Sequence, residues 1–364
     1  MGSEMEESKE FVGEKNWKKT IFGRLKPYLL CVFCSFCYAA FNIISMVCLD
    51  KGMSRYVLVA YGYVFGTVAT AFLALLLERK IENKISLPAC IDILLLGLLG
   101  TSGRIVFYAG MEYTSPAFAS AMNNLVPSIT FILAIFFRME KLNLLKLSGQ
   151  AKIAGTIIAF GGATLMTLYK GITVVSLHAS HTHAASKILI YRNLIKGSLL
   201  LLFSDLLAAA FYIVQATAVK KYPAPMTLTT LSGLSGTIMA IIAAAVPDHR
   251  ASSWRLSLNI TLIAPLYIGI VIFGITTYIQ TIVVRTNGPV FVTAFRPLIT
   301  VIVAIMGPFI LGEALHLGGI IGATMIILGL YVTLWGKEEE KQSSSHQLET
   351  PVICDQEIEI RSQK

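Results

Sequence analysis

The sequence predicts an all-α multi-pass membrane protein with ten transmembrane helices, arranged as two inverted repeats of five. Three observations support this prediction: the composition, the spacing of the apolar runs, and an internal repeat. Of the 364 residues, 55% are hydrophobic and 14% are charged, and the mean hydropathy is +0.69. A soluble domain carries about 25% charged residues, so this chain cannot cover a globular surface with polar groups.

Ten apolar runs are long enough to cross a bilayer, whose hydrocarbon core of about 30 Å needs roughly 20 helical residues. We number these runs spans 1 to 10 in chain order. Most connections between them are short, and the longest one, 169–197, is polar. The predicted spans are 27–49, 56–77, 90–112, 117–138, 148–168, 198–219, 227–246, 261–284, 290–311 and 316–335.

The two charged tails are predicted to be disordered. Residues 1–25 and 337–364 carry many charges and few aromatic side chains, a composition that does not support a packed core. Most Lys and Arg residues lie in these tails and in the loops on the same side of the predicted membrane. The positive-inside rule therefore puts both termini in the cytosol. We expect the plasma membrane as the location, with the vacuolar membrane as the alternative.

The two halves of the chain repeat each other. Residues 123–135 read NNLVPSITFILAI and residues 293–305 read TAFRPLITVIVAI, so Pro127 corresponds to Pro297 at a shift of 170. A unit with an odd number of helices enters the membrane from the opposite face when it is repeated, so the repeats are inverted. Inverted repeats are typical of alternating-access transporters, which bind substrate near the midplane between the repeats.

The repeat also divides the chain into segments. We predict a first repeat over 26–168, a non-cytosolic polar loop over 169–197, and a second repeat over 198–336. Further matches support this division: AAF at 39–41 with AAF at 209–211, Gly66-Thr67 with Gly236-Thr237, and, at a shift of 167, Gly155 and Gly162 with Gly322 and Gly329.

Each repeat carries a proline inside an apolar span, Pro127 in span 4 and Pro297 in span 9. Proline removes a backbone hydrogen bond and usually kinks a helix, which lipid tolerates only beside protein or a water-filled cavity. A packing kink and a cavity lining both fit a single proline. The paired positions and the polar neighbours favour a cavity.

Polar residues recur at helical spacing on spans 1, 3, 4, 6, 8 and 9, which places them on one face of each helix. Hydrogen bonding between helices explains any one of these Ser, Thr or Asn residues. The stripes together predict a polar cavity, with the glycine-bearing spans 5 and 10 outside it. The candidate substrate-binding residues are Asn42, Arg104, Tyr108, Asn123, Pro127, Asp205, Tyr212, Gln280, Thr293, Arg296 and Pro297.

Three charged residues, Arg104, Asp205 and Arg296, lie inside predicted spans. An unpaired charge there costs at least about 2.5–3.5 kcal/mol, so each charge needs a partner or a function. One hypothesis is that Arg104 pairs with Asp205 for stability alone. The other is that Arg104, Arg296 or both bind a carboxylate of the substrate through two parallel hydrogen bonds.

Asp205 is the one acidic residue deep inside a predicted span, which makes it the best candidate for a proton site. Burial favours the protonated carboxyl group, whereas pairing with Arg104 favours the ionised one. We expect the pairing to dominate. On this hypothesis Asp205 stays ionised and protons drive transport only weakly.

The sequence shows no Gly-rich phosphate loop, nucleophile triad or pair of catalytic carboxylates. Cys31, Cys34 and Cys37 have a metal-like spacing but lie in an apolar span without a His or acidic partner. We therefore expect no enzyme activity, no metal and no cofactor. The net charge of +9 comes largely from basic loops that set topology, so it does not indicate nucleic-acid binding.

The predicted partners are a small-molecule solute and the lipid bilayer, and a homodimer is left open. An alternative hypothesis is a membrane receptor or scaffold that has the transporter fold but carries nothing. A flux assay separates the two, because a receptor binds a solute without moving it.

Three stretches resemble a known family. The first stretch begins with KPYLLCVFCSFCYAAFNIISMVCLDKG at 26–52. The second is YAGMEYTSPAFASAMNNLVPSITFILAIFFRMEKL at 108–142, and the third begins with GPVFVTAFRPLITVIVAIMGPFILGEALHLGG at 288–319. The chain resembles, over roughly 25–337, the plant nodulin-like branch of the EamA-type drug/metabolite transporters, which includes the walls-are-thin-related proteins. This resemblance implies two inverted EamA repeats and facilitated export or uptake of amino acids or related solutes.

The chain departs from this family at two positions. Many members have Gln where Arg104 stands and Asn where Arg296 stands. The residues that match the family pattern, and that the resemblance implies as cavity candidates, are Tyr108, Asn123, Pro127 and Pro297. Both departures add positive charge to the expected pathway. They favour a carboxylate-bearing solute, such as an auxin-like indole, over a neutral one.

Overall fold

The structure of the chain is a computed structural model. The described residues are 25–45, 47–49, 51–78, 87–114, 119, 122–140, 145–169, 173–175, 187–222, 224–245, 247, 254, 256, 260–310 and 315–362. Of the predicted N-terminal tail, only Leu25 is among the described residues. The three histidines of the predicted polar loop, His178, His181 and His183, also lie outside them.

Helices account for nearly all of the described residues, and a π-helical segment, Ile268–Thr276, interrupts one of them. Two short strands, β1 Thr173–Val175 and β2 Leu315–His316, form an antiparallel pair in which Thr173 lies opposite His316. The α-helices are α1 Leu25–Leu49, α2 Arg55–Leu77, α3 Leu87–Tyr113, α4 Val126–Phe136, α5 Leu147–Leu168, α6 Lys187–Lys221, α7 Pro225–Ala245, α8 Ile260–Tyr267, α9 Thr277–Asn287, α10 Pro289–Ala294, α11 Arg296–Ile310 and α12 Leu317–Ser362.

The helices are those of a multi-pass membrane protein. Seven helices among the described residues are long and apolar enough to cross a bilayer. Two further apolar stretches, α4 and the stretch Pro289–Val303 that runs from α10 into α11, are shorter. The predicted count of ten spans therefore stays a prediction, since spans 4 and 9 are too short to count by length alone and α5, the helix of span 5, is not among the seven.

The chain forms two compact units that do not follow the two sequence repeats. Unit 1 contains Met1–Tyr108 and Ala210–Phe295, and unit 2 contains Ala109–Ala209 and Arg296–Lys364. The unit boundaries fall inside α3, inside α6, and between α10 and α11. Each unit therefore draws helices from both halves of the sequence.

In unit 1 the helices α2 and α7 cross at equivalent positions of the two repeats. The hydroxyl groups of Thr67 and Thr237, which are 170 residues apart, hydrogen-bond to each other at 2.9 Å. At the end of α2, the Glu78 carboxylate accepts the backbone N–H groups of Met226 at 2.9 Å and Thr227 at 2.8 Å. Glu78 thus satisfies the free N–H groups that begin α7, and the two helices run antiparallel.

In unit 2 the helices α5 and α12 cross in the same way, through glycines. A methyl group on Gly155 would lie 2.6 Å from the Gly329 carbonyl oxygen, and one on Gly162 would lie 2.8 Å from the Gly322 carbonyl oxygen. The two backbones are in contact, so no larger residue fits at these positions without a shift. The glycines that the sequence assigns to close helix packing are therefore at a helix crossing.

A buried ion cluster connects α5 and α12 at one end of this crossing. Lys152 on α5 has 2% of its surface exposed, and its ammonium group lies 3.3 Å from a Glu140 carboxylate oxygen. Lys152 also pairs with Glu340, and Lys337 pairs with Glu140. The four side chains alternate in charge, so each buried charge faces opposite charges.

Regular elements enter two segments that the sequence assigns to a tail and a loop. α12 continues through the predicted tail 337–364 as far as Ser362. The first residues of this tail, Lys337 and Glu340, belong to the ion cluster, which composition alone does not reveal. In the predicted loop 169–197, Thr173–Val175 forms a strand and α6 begins at Lys187. The predicted disorder of the tail and the non-cytosolic side of the loop stay predictions.

Spans 4 and 9 are both interrupted, at equivalent positions. In span 4, Asn124 and Leu125 form a turn before α4 begins, and in span 9, Phe295 separates α10 from α11. Leu125 and Phe295 are 170 residues apart. The sequence predicted kinks at Pro127 and Pro297, and each interruption lies two residues before its proline, because proline fits the first turn of a helix.

Candidate functional site

The π-helical segment of unit 1 approaches α2 through small residues. A methyl group on Gly66 would lie 2.6 Å from Cβ of Phe273, and one on Gly269 would lie 2.7 Å from the Gly66 nitrogen. The wide turn of the π-helix places the Phe273 ring against Tyr63, with ring centroids 4.0 Å apart. Short π-helical segments of this kind are frequent at functional sites.

Arg104 on α3 lies over this aromatic surface. Its guanidinium carbon is 4.5 Å from the ring centroid of Phe273 and 5.8 Å from that of Phe41. The face of an aromatic ring attracts a cation, by about 0.5–2 kcal/mol depending on how far water is excluded. Arg104 is therefore held by ring faces, which stabilise its charge without cancelling it.

The polar groups that act on Arg104 in unit 1 are tyrosine hydroxyls. They belong to Tyr38, Tyr63, Tyr108 and Tyr212. A tyrosine is neutral at physiological pH, since it ionises only near pH 10. Within the described part of unit 1, no carboxylate acts on this arginine. We call Arg104 with its two rings and four tyrosines the aromatic arginine site.

Tyr108 is fixed from the backbone side as well. Nη1 of Arg55, at the start of α2, donates a 2.7 Å hydrogen bond to the Tyr108 carbonyl oxygen. This bond connects the beginning of α2 to the part of α3 that carries Arg104. The predicted span 2, 56–77, leaves Arg55 just outside its first residue.

Unit 2 holds the second intramembrane arginine in a different setting. Nη2 of Arg296, the first residue of α11, donates a 2.8 Å hydrogen bond to Oδ1 of Asn123. The Thr300 hydroxyl, one turn further along α11, lies 3.3 Å from Oδ1 of Asn124. Both asparagines belong to the interrupted part of span 4, so polar side chains join the two helix breaks. We call Arg296, Asn123, Asn124 and Asp205 the amide arginine site.

Asp205 on α6 completes the amide arginine site. It has 1% of its surface exposed, and the positive charge that acts on its carboxylate is that of Arg296. Among the described residues, no hydrogen bond reaches its Oδ2 atom. The pairing of Asp205 with Arg104, which the sequence left open, would join the two units and stays a prediction.

The remaining predicted residues differ in their surroundings. Tyr212 and Gln280 are buried in unit 1, and Pro127 and Pro297 are buried in unit 2. Thr293 is fully buried, and its hydroxyl lies 3.2 Å from the carbonyl oxygens of Pro289 and Val290 in its own helix. Asn42 is exposed, unlike the neighbouring Phe41 and Ile43. Hydrogen bonding within its own helix therefore accounts for the contacts of the Thr293 hydroxyl group, without any role in substrate binding.

Sequence reasoning missed Phe273 and Asn124 as members of these sites, and Arg55 as the donor to the Tyr108 carbonyl oxygen. The glycines around Phe273 and the asparagine pair Asn123-Asn124 were visible signals, but the partner of each is distant in sequence. No group of three His, Cys, Asp or Glu side chains that could hold a metal is present in the described part of the chain. Cys31, Cys34 and Cys37 are buried free thiols.

Comparisons with known proteins show which family profile and which proteins the chain resembles. The sequence profile of the EamA-like transporter family matches residues 25–168 and again residues 172–335. Three WAT1-related proteins of Arabidopsis thaliana are 44%, 40% and 41% identical to the chain, over 87%, 90% and 88% of it and 82%, 83% and 87% of their own lengths. A solved crystal structure matches with a TM-score of 0.64 at 13% identity, over 85% of this chain and 98% of that one. This last similarity concerns the fold alone.

Proposed function

Because the chain belongs to the EamA-like transporter family, we propose that this membrane transporter carries amino acids or related organic solutes that bear a carboxylate. Auxin-like indoles are included in this class. Arg104, Arg296 or both bind the carboxylate, and the solute crosses through a midplane cavity between the two repeats. Transport is facilitated export or uptake.

The main support for this proposal comes from the groups that surround Arg104. A buried guanidinium normally pairs with an anion, but the partners of Arg104 within unit 1 are ring faces and neutral hydroxyls. Its charge is therefore available for the carboxylate of a bound solute, which it can hold by two parallel hydrogen bonds. The same aromatic rings offer a stacking surface for a planar solute.

We propose the following architecture for this transport. Ten helices form two inverted five-helix repeats, over 26–168 and 198–336, with both termini in the cytosol. The crossings of equivalent helices, α2 with α7 and α5 with α12, support this arrangement, as do the two separate matches of the family profile. The plasma membrane is the proposed location, and the vacuolar membrane is the alternative.

Impermeant labelling tests the proposed topology. A cysteine introduced at position 180 should react on intact cells when the protein is in the plasma membrane, and a cysteine introduced in the C-terminal tail should not. Labelling of the tail under the same conditions would refute the cytosolic termini.

Flux into proteoliposomes tests the proposed substrate class. The purified protein is offered two solute pairs that differ by one charge: glutamate with glutamine, and indole-3-acetate with indole-3-acetamide. We expect faster uptake of at least one anionic member than of its neutral partner. The double variant Arg104→Gln with Arg296→Asn should remove this preference, since it removes both intramembrane positive charges.

Arg285→Gln is the matched control. It removes a positive charge from the exposed end of α9, outside both arginine sites. This variant should keep the preference for the anion. Equal uptake of charged and neutral partners by the unmodified protein would contradict the proposal, and binding without any flux would favour the receptor hypothesis.

A further inference from the structure

Gln215 on α6 is a buried side chain with an open hydrogen-bond acceptor. It has 2% of its surface exposed, and no donor among the described residues reaches its Oε1 atom. Its Nε2 atom donates a 2.9 Å hydrogen bond to the Thr281 hydroxyl on α9. Buried polar atoms are nearly always hydrogen-bonded, so the open acceptor needs an explanation.

The hydrogen bonds of Thr281 determine which atom of the Gln215 amide is open. The Thr281 hydroxyl has one proton, and it donates that proton to the Thr277 carbonyl oxygen at 2.7 Å. The hydroxyl oxygen can therefore only accept a hydrogen bond from Gln215, so the amide presents its nitrogen to Thr281. The atom that stays open is the amide oxygen, which accepts hydrogen bonds and cannot donate them. A ligand that fits this position must supply a donor.

Gln215 lies one helical turn from the aromatic arginine site. The hydroxyl of Tyr212, three residues earlier on α6, is one of the groups that act on Arg104. Residues three apart lie on the same side of a helix, about 4.5 Å apart along its axis. Thr281, the partner of Gln215, lies on the helix that continues from the π-helical segment with Phe273, the ring below Arg104. The same two elements of unit 1 therefore position Gln215 and the surroundings of Arg104.

The two side chains have complementary chemistry for a single solute. Arg104 offers a positive charge to a carboxylate, and Gln215 offers a neutral acceptor to an N–H group. A small organic acid with an N–H group a few bonds from its carboxylate can extend over one helical turn and pair with both. An acid without this donor leaves the buried amide oxygen unpaired, and a polar site rejects an analogue that lacks the matching group.

We propose that Gln215 determines the substrate specificity of this transporter, by accepting a hydrogen bond from an N–H group of the solute whose carboxylate binds Arg104. The inference rests on the proposed carriage of carboxylate-bearing solutes, and it narrows their class. The substrates are acids that also carry an ammonium group or a ring N–H. Acids of the same size and shape without a donor are excluded.

Uptake of matched acids into proteoliposomes tests this specificity. Both members of each pair keep the carboxylate, and one lacks the N–H donor: glutamate with glutarate, and indole-3-acetate with benzofuran-3-acetate. Concentration-dependent uptake, with uptake by protein-free liposomes subtracted, measures the apparent affinity. For the anion that the protein carries, the member with the donor should bind more tightly. We expect roughly 10- to 150-fold for the ammonium group and roughly 2- to 12-fold for the neutral ring N–H.

Gln215→Leu separates an acceptor from a packing role. Leucine has a similar volume but no amide, so the ratio of the two apparent affinities should fall to about one. The solute with the donor loses affinity, whereas its analogue is nearly unaffected. The matched control is Gln150→Leu, which removes an exposed amide from the first turn of α5 and should leave the ratio unchanged. Equal losses for both members of the pair would assign Gln215 to helix packing and overturn the inference.

A second variant decides the inference if Gln215→Leu does not fold. Thr281→Val keeps the shape of the side chain but removes the hydroxyl that orients the Gln215 amide, so the ratio should fall. An unchanged ratio in this variant would overturn the role of Gln215. Equal affinity of the unmodified protein for both members of a carried pair would also overturn it, and would leave the proposed carriage of carboxylates intact. If neither anion is taken up faster than its neutral amide, the proposed function fails and the inference fails with it.

Discussion

The two arginine sites show how differently one charged residue can be accommodated in a membrane protein. Arg104 in unit 1 lies over aromatic rings and among tyrosine hydroxyls, whereas Arg296 in unit 2 donates a hydrogen bond to an amide oxygen, and its charge acts on Asp205. Ring faces stabilise a positive charge without neutralising it. The first site is therefore suited to attract an anion, whereas the second already contains an acidic residue.

Neither arginine has a basic counterpart in the other repeat. At the shift of 170, Arg104 corresponds to Gly274 in the π-helical segment, and Arg296 corresponds to Val126. The two repeats thus share helices, glycines and helix breaks but not these two arginines. The symmetric features build the fold, and the arginines are asymmetric additions to it.

The largest effect should come from the buried ion cluster, which belongs to unit 2 alone. Lys152→Met removes a cation that faces Glu140 and Glu340, and the free energy of unfolding should fall by about 3 kcal/mol. This is the lower end of the range for a broken buried pair, since Lys337 remains on Glu140. Thermal unfolding in detergent and abundance in the membrane measure the loss.

Lys221→Met is the control for this prediction. In unit 1 Lys221 pairs with Asp92 at 2.8 Å, but the Lys221 side chain is 49% exposed. Exposed pairs contribute about 0–1 kcal/mol, so the apparent Tm should barely change. Equal losses in the two variants would show that the cluster of unit 2 is no more stabilising than a surface pair.

The next effect concerns selectivity at the two arginines. Arg104→Gln should weaken the apparent affinity for the anionic solute by about 1.5–3 kcal/mol, or roughly 10- to 150-fold, the range for a charge-assisted hydrogen bond. The neutral partner solute should be affected much less. Arg296→Asn should show the same selectivity if both arginines bind the substrate. Concentration-dependent uptake of each solute pair measures both values.

A pair of double-mutant cycles determines which arginine is coupled to Asp205. If the partner is Arg296, then Arg296→Asn and Asp205→Asn should be non-additive in stability by about 0.5–3 kcal/mol. The cycle of Arg104→Gln with Asp205→Asn should be additive within about 0.5 kcal/mol. The reverse pattern would establish the pairing of Arg104 with Asp205 and assign Arg104 to structure.

The smallest effect is expected at the ring below Arg104. Phe273→Leu removes a cation–π contact worth about 0.5–2 kcal/mol, so anion affinity should fall by roughly 2- to 30-fold. Phe273→Tyr keeps a ring face and should stay near the unmodified value. In an Arg104→Gln background the loss on Phe273→Leu should shrink, because no cation remains over the ring. A loss of full size in that background would mean that Phe273 acts by packing alone.

The helices were largely predictable, since apolar runs and their flanking charges are local features of the sequence. The paired prolines likewise predicted two interrupted spans, although each interruption lies two residues before its proline, at Leu125 and Phe295. The extension of α12 over the charged tail was not predictable, because it begins with contacts of Lys337 and Glu340 to side chains almost 200 residues away. Composition describes a segment but not its distant partners.

The candidate sites were only half predictable for the same reason. The intramembrane charges stood out in the sequence, since charge in an apolar run is costly. Phe273 did not stand out, because nothing in the sequence distinguishes a phenylalanine that contacts an arginine from the many other apolar residues around it. The π-helical segment that contains Phe273 packs against the glycines of α2. An analysis based on the α-helical periodicity of 3.6 residues does not predict such a segment.

The crossing of α5 and α12 is self-complementary. Gly155 contacts Gly329, and Gly162 contacts Gly322, so the two helices contact each other through equivalent surfaces. Such reciprocal contact is what a two-fold dimer of identical chains makes. Two copies of a single five-helix gene product, inserted in opposite directions, could have built the same crossing before duplication and fusion joined them. Halves of this chain produced as separate polypeptides should accordingly reassemble in one membrane.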